Sequence, residues 1–391
     1  MDPSHPWQPA DWLNRGGESL SHDPRLAQRL LAQGIQGMPQ AAIAWFNLGI
    51  ALHQQRRIAA AIRAYRHALA LPQPPVAEAS NNLAQDLLLS GRFAEGWPLY
   101  ERRLHKASYD HTFFKQISGE AWQGFGDPRP CHRLVLVAEQ GFGDTLQFCR
   151  LALGLPMETV LFSQPALVSL LQRGTALQRV CSEVSADLLD AGTRWCPLLS
   201  LPDRLGLNSG TIPLAGGYLR AEPQRVAHWH RQLQRRAGHR LIALHWQGNP
   251  KHEGSLYSRG RSMALQHWLP LAQCPGLELV SIQKGPGSEQ LQQYPTLPWV
   301  AGQATVSASL DFGDTAAILA NCDLLISADS GVVHLAGAMG VPTWVALRWI
   351  PEWRWLLEGD NTPWYASVRL FRQPRDGDWA SVVQRIAREL G

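Results

Sequence analysis

The stretch LVLVAEQGFGDTLQF, residues 134–148, contains the local signals that decide the fold. Its first part, LVLVAE, is a short continuous apolar run, which predicts a buried parallel strand. From Leu146 onward, apolar residues recur at helical spacing and predict a helix. Gly141 and Gly143 lie in the turn between strand and helix and are expected to shape it. Asp144 follows at once, so the first candidate functional residue is an acid at a strand-to-helix turn.

The same alternation continues to the C-terminus. Amphipathic segments of helical length separate six further apolar runs: TVLFS (159–163), RWCPLLS (194–200), LIALHW (241–246), LELVSIQ (277–283), DLLIS (323–327) and TWVAL (343–347). Short apolar strands that alternate with helices predict parallel sheets with helices on both faces. The predicted fold class is therefore α/β, with two Rossmann-type lobes at 131–235 and 236–391. The basic stretch 220–240 is predicted to be a helix at their junction, and the first lobe is short.

Residues 1–107 have a different pattern, which predicts an all-α domain. The segment AWFNLGIALHQQRRIAAAIRAYRHALALP (44–72) contains two helical runs. The small residues Gly49 and Ala61 would let the two helices approach closely in antiparallel orientation, while Tyr65 fills the groove between them. This pattern resembles a tetratricopeptide repeat.

A second copy of the helical pattern is present in ASNNLAQDLLLSGRFAEGWPLYERRL (79–104). Leu83 lies 35 positions after Leu48, close to the tetratricopeptide period of about 34 residues. The stacked helices are either a support for the C-terminal lobes or a groove that holds an acceptor polypeptide or glycan. A polar connector is predicted at 108–130.

The bulk composition excludes several classes of protein. The 391 residues are 45% hydrophobic and 17% charged, as expected for a compact soluble chain. The net charge of +4, without a basic cluster, gives no indication of nucleic-acid binding. Six scattered cysteines suggest reduced thiols in a cytoplasmic protein, and the absence of a long apolar run predicts neither export nor a membrane span.

The segment NCDLLISADSGVVHLAGAMGVPTWVAL (321–347) predicts an anion site. A strand, the turn ADSG and a helix come one after another, and the free backbone N–H groups at a helix start bind phosphate or diphosphate. Ser330 and Gly331 are expected to assist, while Asp329 is expected to accept N–H groups of the turn and hold its shape. His334, on the first helical turn, either donates to the phosphate or packs in the interior.

Two neighbouring loops also come after predicted strands. The loop after LELVSIQ has Gln283, Lys284 and Glu289, suited respectively to polar contact, diphosphate charge and ribose hydroxyls. The loop after LIALHW is long and cationic, with Lys251 and Arg261, and either folds over a ligand or is an ordinary solvated loop. Ligands of open parallel sheets bind outside the carboxyl ends of the strands, so these loops form one candidate donor site.

Taken together, EQGFGDTLQF, HWQGNPKH, SIQKG and ADSGVVHLAGAMGVP resemble bacterial tetratricopeptide-repeat proteins with a heptosyltransferase-like C-terminal region. That region is of the GT-B class and similar to glycosyltransferase family 9; the overall plan is also similar to protein O-GlcNAc transferases. The resemblance implies Asp144 as general base, Lys251 as donor-site lysine and Glu289 as ribose contact. It places the phosphate turn at Ser330, Gly331 and His334, and it implies inversion, no metal and no cofactor besides the nucleotide-sugar co-substrate.

Two functions from different classes are consistent with these features. The leading one is a glycosyltransferase that moves a sugar from a nucleoside-diphosphate donor to a protein or cell-envelope glycan. The alternative is a repeat-based interaction module with a degenerate, non-catalytic transferase region, which the short first lobe favours. A dehydrogenase is disfavoured because GFGD lacks the third glycine of the dinucleotide fingerprint. The tryptophan-rich stretch 344–365 is predicted to be buried at the lobe junction, with stacking on a sugar or peptide as the other possibility.

Overall fold

A computed structural model describes most of the chain: residues 7–72, 77–105, 120–185, 188, 190, 192–213, 216–254, 256–309 and 311–391. Much of the predicted connector, 106–119, lies outside the described residues. The chain divides into two compact units. The helical unit is Met1–Tyr109 with Gly206–Gly210 and Glu352–Leu357, and the α/β unit is Asp110–Leu205, Thr211–Pro351 and Glu358–Gly391.

The described part of the helical unit contains six α-helices, as an all-α domain predicts. They are α1 (Pro9–Ser19), α2 (Pro24–Gly37), α3 (Ala42–Gln54), α4 (Ile58–Ala70), α5 (Ala77–Leu89) and α6 (Phe93–Tyr100). Helices α5 and α6 begin 35 residues after α3 and α4 respectively, which reproduces the period seen in the sequence. The all-helical prediction is confirmed, and the tetratricopeptide identity of the repeats stays a prediction.

Glycine permits close helix contact in both pairs. A Cβ on Gly49 would lie 2.3 Å from the Tyr65 ring, so α3 and α4 approach at this point only because the side chain is absent. In the second pair the glycine is on the other helix: a Cβ on Gly96 of α6 would lie 2.6 Å from Leu88 of α5. The close approach predicted for Gly49 is therefore a feature of both pairs.

Aromatic residues from a distant part of the sequence complete the helical unit. The Trp353 ring lies 5.3 Å from that of Trp97 and 6.1 Å from that of Tyr100. Trp97 Nε1 also donates to the Leu207 carbonyl at 2.9 Å, and Arg56 donates to the Leu357 carbonyl at 2.7 Å. The prediction that the whole tryptophan-rich stretch lies at the lobe junction is wrong for this part, because Glu352–Leu357 belongs to the helical unit.

The first lobe of the α/β unit has a four-stranded parallel sheet. Its strands are β1 (Arg133–Val137), β2 (Glu158–Phe162), β3 (Arg179–Cys181) and β4 (Thr193–Pro197), in the order β3-β2-β1-β4. Val135 pairs with Val160 on one side and with Trp195 on the other, so β1 is a central strand. The helices of this lobe are α7 (Phe142–Phe148), α8 (Pro165–Gly174) and α9 (Leu201–Arg204).

The second lobe has a five-stranded sheet, which is also parallel. Its strands are β5 (Arg240–His245), β6 (Leu277–Ser281), β7 (Leu324–Ala328), β8 (Thr343–Leu347) and β9 (Val368–Arg372), in the order β6-β5-β7-β8-β9. Its helices are α10 (Pro223–Leu233), α11 (Gln303–Ala308), α12 (Phe312–Leu319), α13 (Gly331–Met339) and α14 (Trp379–Leu390). The predicted pair of parallel-sheet lobes is confirmed. The strand order reverses between β5 and β7: β6 is added on one side of β5, and β7, β8 and β9 are added on the other. Doubly wound sheets bind ligands at such a point.

The junction helix predicted at 220–240 is α10, which ends where Gln234 adopts a left-handed φ of 51°. It packs on the second lobe: Arg225 contacts Asp311 at 2.7 Å, and Trp229 Nε1 donates to Asp314 at 3.0 Å. This helix therefore belongs structurally with the second sheet, although the predicted boundary at 235 assigns it to the first lobe.

None of the six cysteines forms a disulfide. Burial raises the pKa of the Cys149 thiol to about 12. Within the described residues, no helix is both long enough and apolar enough to cross a membrane.

Candidate active site

Two glycine turns, one from each lobe, meet at the candidate site. A Cβ on Gly143 would lie 2.8 Å from Cδ2 of His334 and 3.2 Å from Cα of Gly331. Only glycine permits this contact, which brings the start of α7 against the start of α13. Gly143 was expected to shape the turn; in the structure it also lets the second lobe approach.

Asp144 is the third residue of α7 and is half-buried. Its Oδ2 accepts a hydrogen bond of 2.9 Å from the N–H of Gly141, the residue that precedes the helix. The carboxylate is thus oriented by its own turn, as in the second half of a capping box. The structure thus gives Asp144 a contact at the start of its own helix, and its role as general base stays a prediction.

The start of α13 has the features of an anion site. Ser330 precedes the helix in an extended conformation, and the nine-residue helix ends at Gly340, whose φ is +73°. Backbone N–H groups of the first turn have no partner within the helix, and the helix dipole adds positive potential there. Ser330 is buried, and Gly331 is the first residue of the helix.

A buried histidine that sequence reasoning missed lies beside Ser330. His245 ends β5, and its Nδ1 is 3.1 Å from Ser330 Oγ and 3.5 Å from Ser327 Oγ. Desolvation lowers its pKa to about 4, so the imidazole is neutral at neutral pH. The available signal was a titratable residue inside the apolar run LIALHW, at the end of a predicted strand.

His334 is held by a tyrosine from the C-terminal part of the chain. Its Nδ1 lies 3.0 Å from the hydroxyl of Tyr365, and the ring is buried. The Tyr365 ring can reach it because Gly337 has no side chain: a Cβ there would lie 2.6 Å from Tyr365 Cδ1. The Nδ1 atom of the imidazole therefore contacts Tyr365, and its Cδ2 atom faces Gly143.

Asp329 differs from its expected role. It is 7% exposed, yet within the described part of the chain its carboxylate accepts no hydrogen bond from the turn it was expected to hold. Neither carboxylate oxygen is both fully buried and without a partner, so the group stays accessible. This acceptor at the carboxyl end of β7 is suited to donors from a ligand.

The side-chain amide of Gln283 makes all its hydrogen bonds to backbone groups. Its Oε1 accepts from the N–H groups of Trp246 (3.1 Å) and Gln247 (3.0 Å), and its Nε2 donates to the carbonyls of Gln247 (2.9 Å) and Pro286 (2.8 Å). A primary amide has two donors and two acceptor sites. Gln283 was expected to contact the donor nucleotide; instead it joins the loops after β5 and β6, with no hydrogen-bonding capacity left.

Lys284, the next residue, is half-buried, and its Nζ donates to the Val306 carbonyl near the end of α11. Burial lowers the pKa of its ammonium group, while the nearby Asp314 carboxylate acts in the opposite direction. The predicted diphosphate contact requires this lysine to exchange the carbonyl for a ligand.

The remaining predicted donor residues lie on the same loops. Lys251 is exposed, as is Glu289. Arg261 lies against Gly248 and pairs with Glu253, Nε to Oε1, at 3.6 Å.

Arg348, which the sequence analysis missed, comes directly after β8 and anchors the loop after β5. Its guanidinium donates to the carbonyls of Tyr257 and Arg259, the latter at 2.6 Å. This loop, for which folding over a ligand and an ordinary solvated loop were the two alternatives, is therefore fixed to a neighbouring strand end. In the described residues, no group of three or more His, Cys, Asp or Glu side chains is placed to hold a metal ion.

Comparisons with known proteins bear on this region. Residues 288–347, which include α11 to α13 and β7, match the model of glycosyltransferase family 9 (heptosyltransferase). Protein FlbA of Caulobacter vibrioides is 29% identical over 378 residues, covering 90% of this chain. The chain spans 62% of the length of that relative. The match shows that residues 288–347 of the second lobe are similar to this glycosyltransferase family.

Solved structures include two similar proteins. The glycosyltransferase family 9 protein of Veillonella parvula is 12% identical with a TM-score of 0.43, covering 65% of this chain and 88% of its own. The ADP-heptose lipopolysaccharide heptosyltransferase II of E. coli is 12% identical with a TM-score of 0.45, covering 66% of this chain and 97% of its own.

Proposed function

We propose that the protein is a glycosyltransferase that moves a sugar from a nucleoside-diphosphate donor to a protein or cell-envelope glycan, with inversion and without a metal. The observation that carries the proposal is the contact between the two turns. Gly143, the neighbour of Asp144, packs on Gly331 and His334 at the start of α13. An acid that can take a proton thus lies beside a helix start that can hold a diphosphate.

In the proposed reaction the start of α13 binds the diphosphate of the donor. Backbone N–H groups, the Ser330 hydroxyl and the helix dipole stabilise the negative charge that develops as the nucleoside diphosphate leaves. Lys284 and Lys251 supply the compensating positive charge from the loops after β6 and β5. Both loops begin at the carboxyl edge of the sheet, near the point between β5 and β7 where the strand order reverses.

Asp144 acts as general base in this proposal. As the acceptor oxygen bonds to the anomeric carbon, its proton passes to the Asp144 carboxylate, and the bond from that carbon to the diphosphate oxygen breaks. The hydrogen bond from the Gly141 N–H fixes the orientation of the carboxylate before the acceptor binds. A positioned base contributes about 100 to 10,000-fold in rate.

The Asp329 carboxylate is assigned to the sugar of the donor. Sugar hydroxyls are hydrogen-bond donors, and the turn around Asp329 supplies none within the described residues. For the acceptor we propose the helical unit. Because α6 already packs on Trp353, the surface left for an acceptor polypeptide or glycan is on the earlier helices.

The donor proposal is tested by thermal unfolding with ADP-, UDP-, GDP- and CMP-sugars in the presence of EDTA. A donor at 100 times its dissociation constant should stabilise the protein by about 2.7 kcal/mol. Lys284→Ala should lose the shift that one nucleotide gives to the wild-type protein. If no nucleotide shifts the wild-type transition, the donor proposal is wrong, and the interaction-module alternative takes its place.

A further inference from the structure

Three polar side chains form a buried cluster where the order of the second sheet reverses. His245 lies at the carboxyl end of β5, and Ser327 and Ser330 lie at and just beyond that of β7. All three are less than a tenth exposed. His245 Nδ1 is 3.1 Å from Ser330 Oγ, and the two serine oxygens are 3.3 Å apart.

One short hydrogen bond settles the position of the Ser327 proton in this cluster. Ser327 Oγ donates to the Ala328 carbonyl at 2.6 Å, so its single proton is already used. Its oxygen can therefore only accept from the other two groups. If His245 Nδ1 had no proton, its lone pair would face that oxygen at 3.5 Å. If Nδ1 has the proton, it donates to Ser330 Oγ, and Ser327 Oγ lies nearby as a second acceptor.

We infer that His245 is a positioning residue for Ser330: its Nδ1–H donates to Ser330 Oγ and leaves the hydroxyl proton of Ser330 for the anion at the start of α13. This inference rests on the proposed binding of a nucleoside diphosphate there. Without a ligand, the hydroxyl proton of Ser330 can point toward Ser327 Oγ. A bound anion draws this proton away, because a charged oxygen is a much stronger acceptor than a serine oxygen. In the opposite tautomer, with the proton on Nε2, the Ser330 hydroxyl would donate to His245 Nδ1. The lone pairs of Ser330 Oγ would then face the anion.

Burial makes this arrangement stable to pH. The depressed pKa of His245 keeps the imidazole neutral across the physiological range, so the tautomer and not a charge controls Ser330. His245 therefore differs from a protonated histidine that binds phosphate through its charge. This difference predicts that the contribution of His245 to anion binding is unchanged between about pH 6 and pH 8.

The tautomer is directly measurable by nitrogen NMR of the full chain labelled with ¹⁵N-histidine. The His245 signals are those lost in His245→Asn. We expect a protonated Nδ1 and an unprotonated Nε2 that do not titrate between about pH 6 and pH 8. Ser330→Ala removes the nearer acceptor and should shift the signals toward a mixture of tautomers. A protonated Nε2 in the wild-type protein, or titration near the ordinary histidine value, overturns the inference.

Binding of ADP, UDP, GDP and CDP by calorimetry tests the consequence. For the nucleotide that binds, His245→Leu and Ser330→Ala should each weaken affinity by about 10 to 150-fold, the range of one hydrogen bond to a charged group. The double variant should lose little more than either single variant, because both act through one hydroxyl. His245→Asn can place an amide N–H at the position of Nδ1 and should bind within about threefold of wild type.

The outcomes separate the two proposals. Additive losses in the double variant, or equal losses in His245→Asn and His245→Leu, contradict the positioning role. If none of the four nucleotides binds the wild-type protein, the proposed donor function fails, while the NMR experiment still decides the tautomer. Because His245→Leu can disturb folding, its unfolding transition is compared with that of His245→Asn.

Discussion

The contact between the two turns depends on the absence of one side chain, which makes Gly143→Ala an informative substitution. The new Cβ would lie 2.8 Å from His334 Cδ2, about 0.6 Å closer than the 3.4 Å at which ordinary contact begins. It would also lie 3.2 Å from the backbone Cα of Gly331, so a rotation of the His334 ring alone does not relieve the clash. The start of α7 must therefore move away from the start of α13.

The expected effect is larger on turnover than on stability. Overpacking of a close contact costs about 1–3 kcal/mol, and part of this is offset because alanine favours a helix more than glycine does. A displacement approaching 1 Å between a base and its substrate can cost about 100-fold in rate. We therefore expect Gly143→Ala to lower the unfolding free energy by at most about 3 kcal/mol and kcat by about 10 to 100-fold.

The assay is release of the nucleoside diphosphate from whichever donor stabilises the protein, measured beside chemical denaturation. Gly154→Ala is the matched control, because nothing lies within 4 Å of a Cβ at that position and its φ is not positive. The control should retain wild-type turnover and stability. Turnover in Gly143→Ala equal to that in Gly154→Ala would refute the claim that this contact aligns the site.

Four further substitutions test other features of the molecule. Asp144→Asn should retain donor binding but lose about 100 to 10,000-fold in turnover. The control is Asp314→Asn, because Asp314 lies in a second copy of the sequence FGDT at the start of α12, and it should leave most turnover intact. Equal losses in the two variants would contradict the assignment of Asp144 as the base. His245 has a pKa lowered to about 4, so the unfolded state binds more protons below about pH 6.5, and stability should fall between pH 6.5 and 4 by up to about 3 kcal/mol. His245→Asn should flatten that part of the stability profile, and an unchanged slope would contradict the buried neutral state. Trp353→Ala should destabilise the helical unit by about 3–5 kcal/mol in denaturant unfolding, and a loss under 1 kcal/mol would show that its contacts with Trp97 contribute little.

The sequence indicated most of the strands because continuous apolar runs are a local property. All seven predicted strands are present, and the two missed strands lack that signal. Strand β3, Arg179–Cys181, has only three residues, too few for a pattern. In β9, Val368–Arg372, arginines interrupt the apolar run, as happens in an edge strand with one solvated side.

The candidate site was predictable in position but not in contacts. Strand ends could be located from the sequence, so the loops with Lys251, Lys284 and Ser330 were expected at one edge of the sheet. Long-range partners leave no trace in local spacing. His334 is held by Tyr365, 31 residues away, and the amide of Gln283 joins a loop 36 residues earlier. The one available signal was His245, a polar residue in an apolar run.

A repeated string shows why local sequence alone could not assign the base. The letters FGDT occur at 142–145 and again at 312–315, and both copies begin a helix. The two phenylalanine rings meet edge to face at 5.0 Å, so the copies are neighbours in space. Yet Asp314 accepts from Arg225 and Trp229, each at 3.0 Å, whereas Asp144 accepts from its own turn and lies next to a glycine packed on α13. The same four residues therefore join two helices in the second lobe and supply the candidate base in the first. The difference comes from the neighbouring helix, which is α10 for Asp314 and α13 for the copy that contains Asp144.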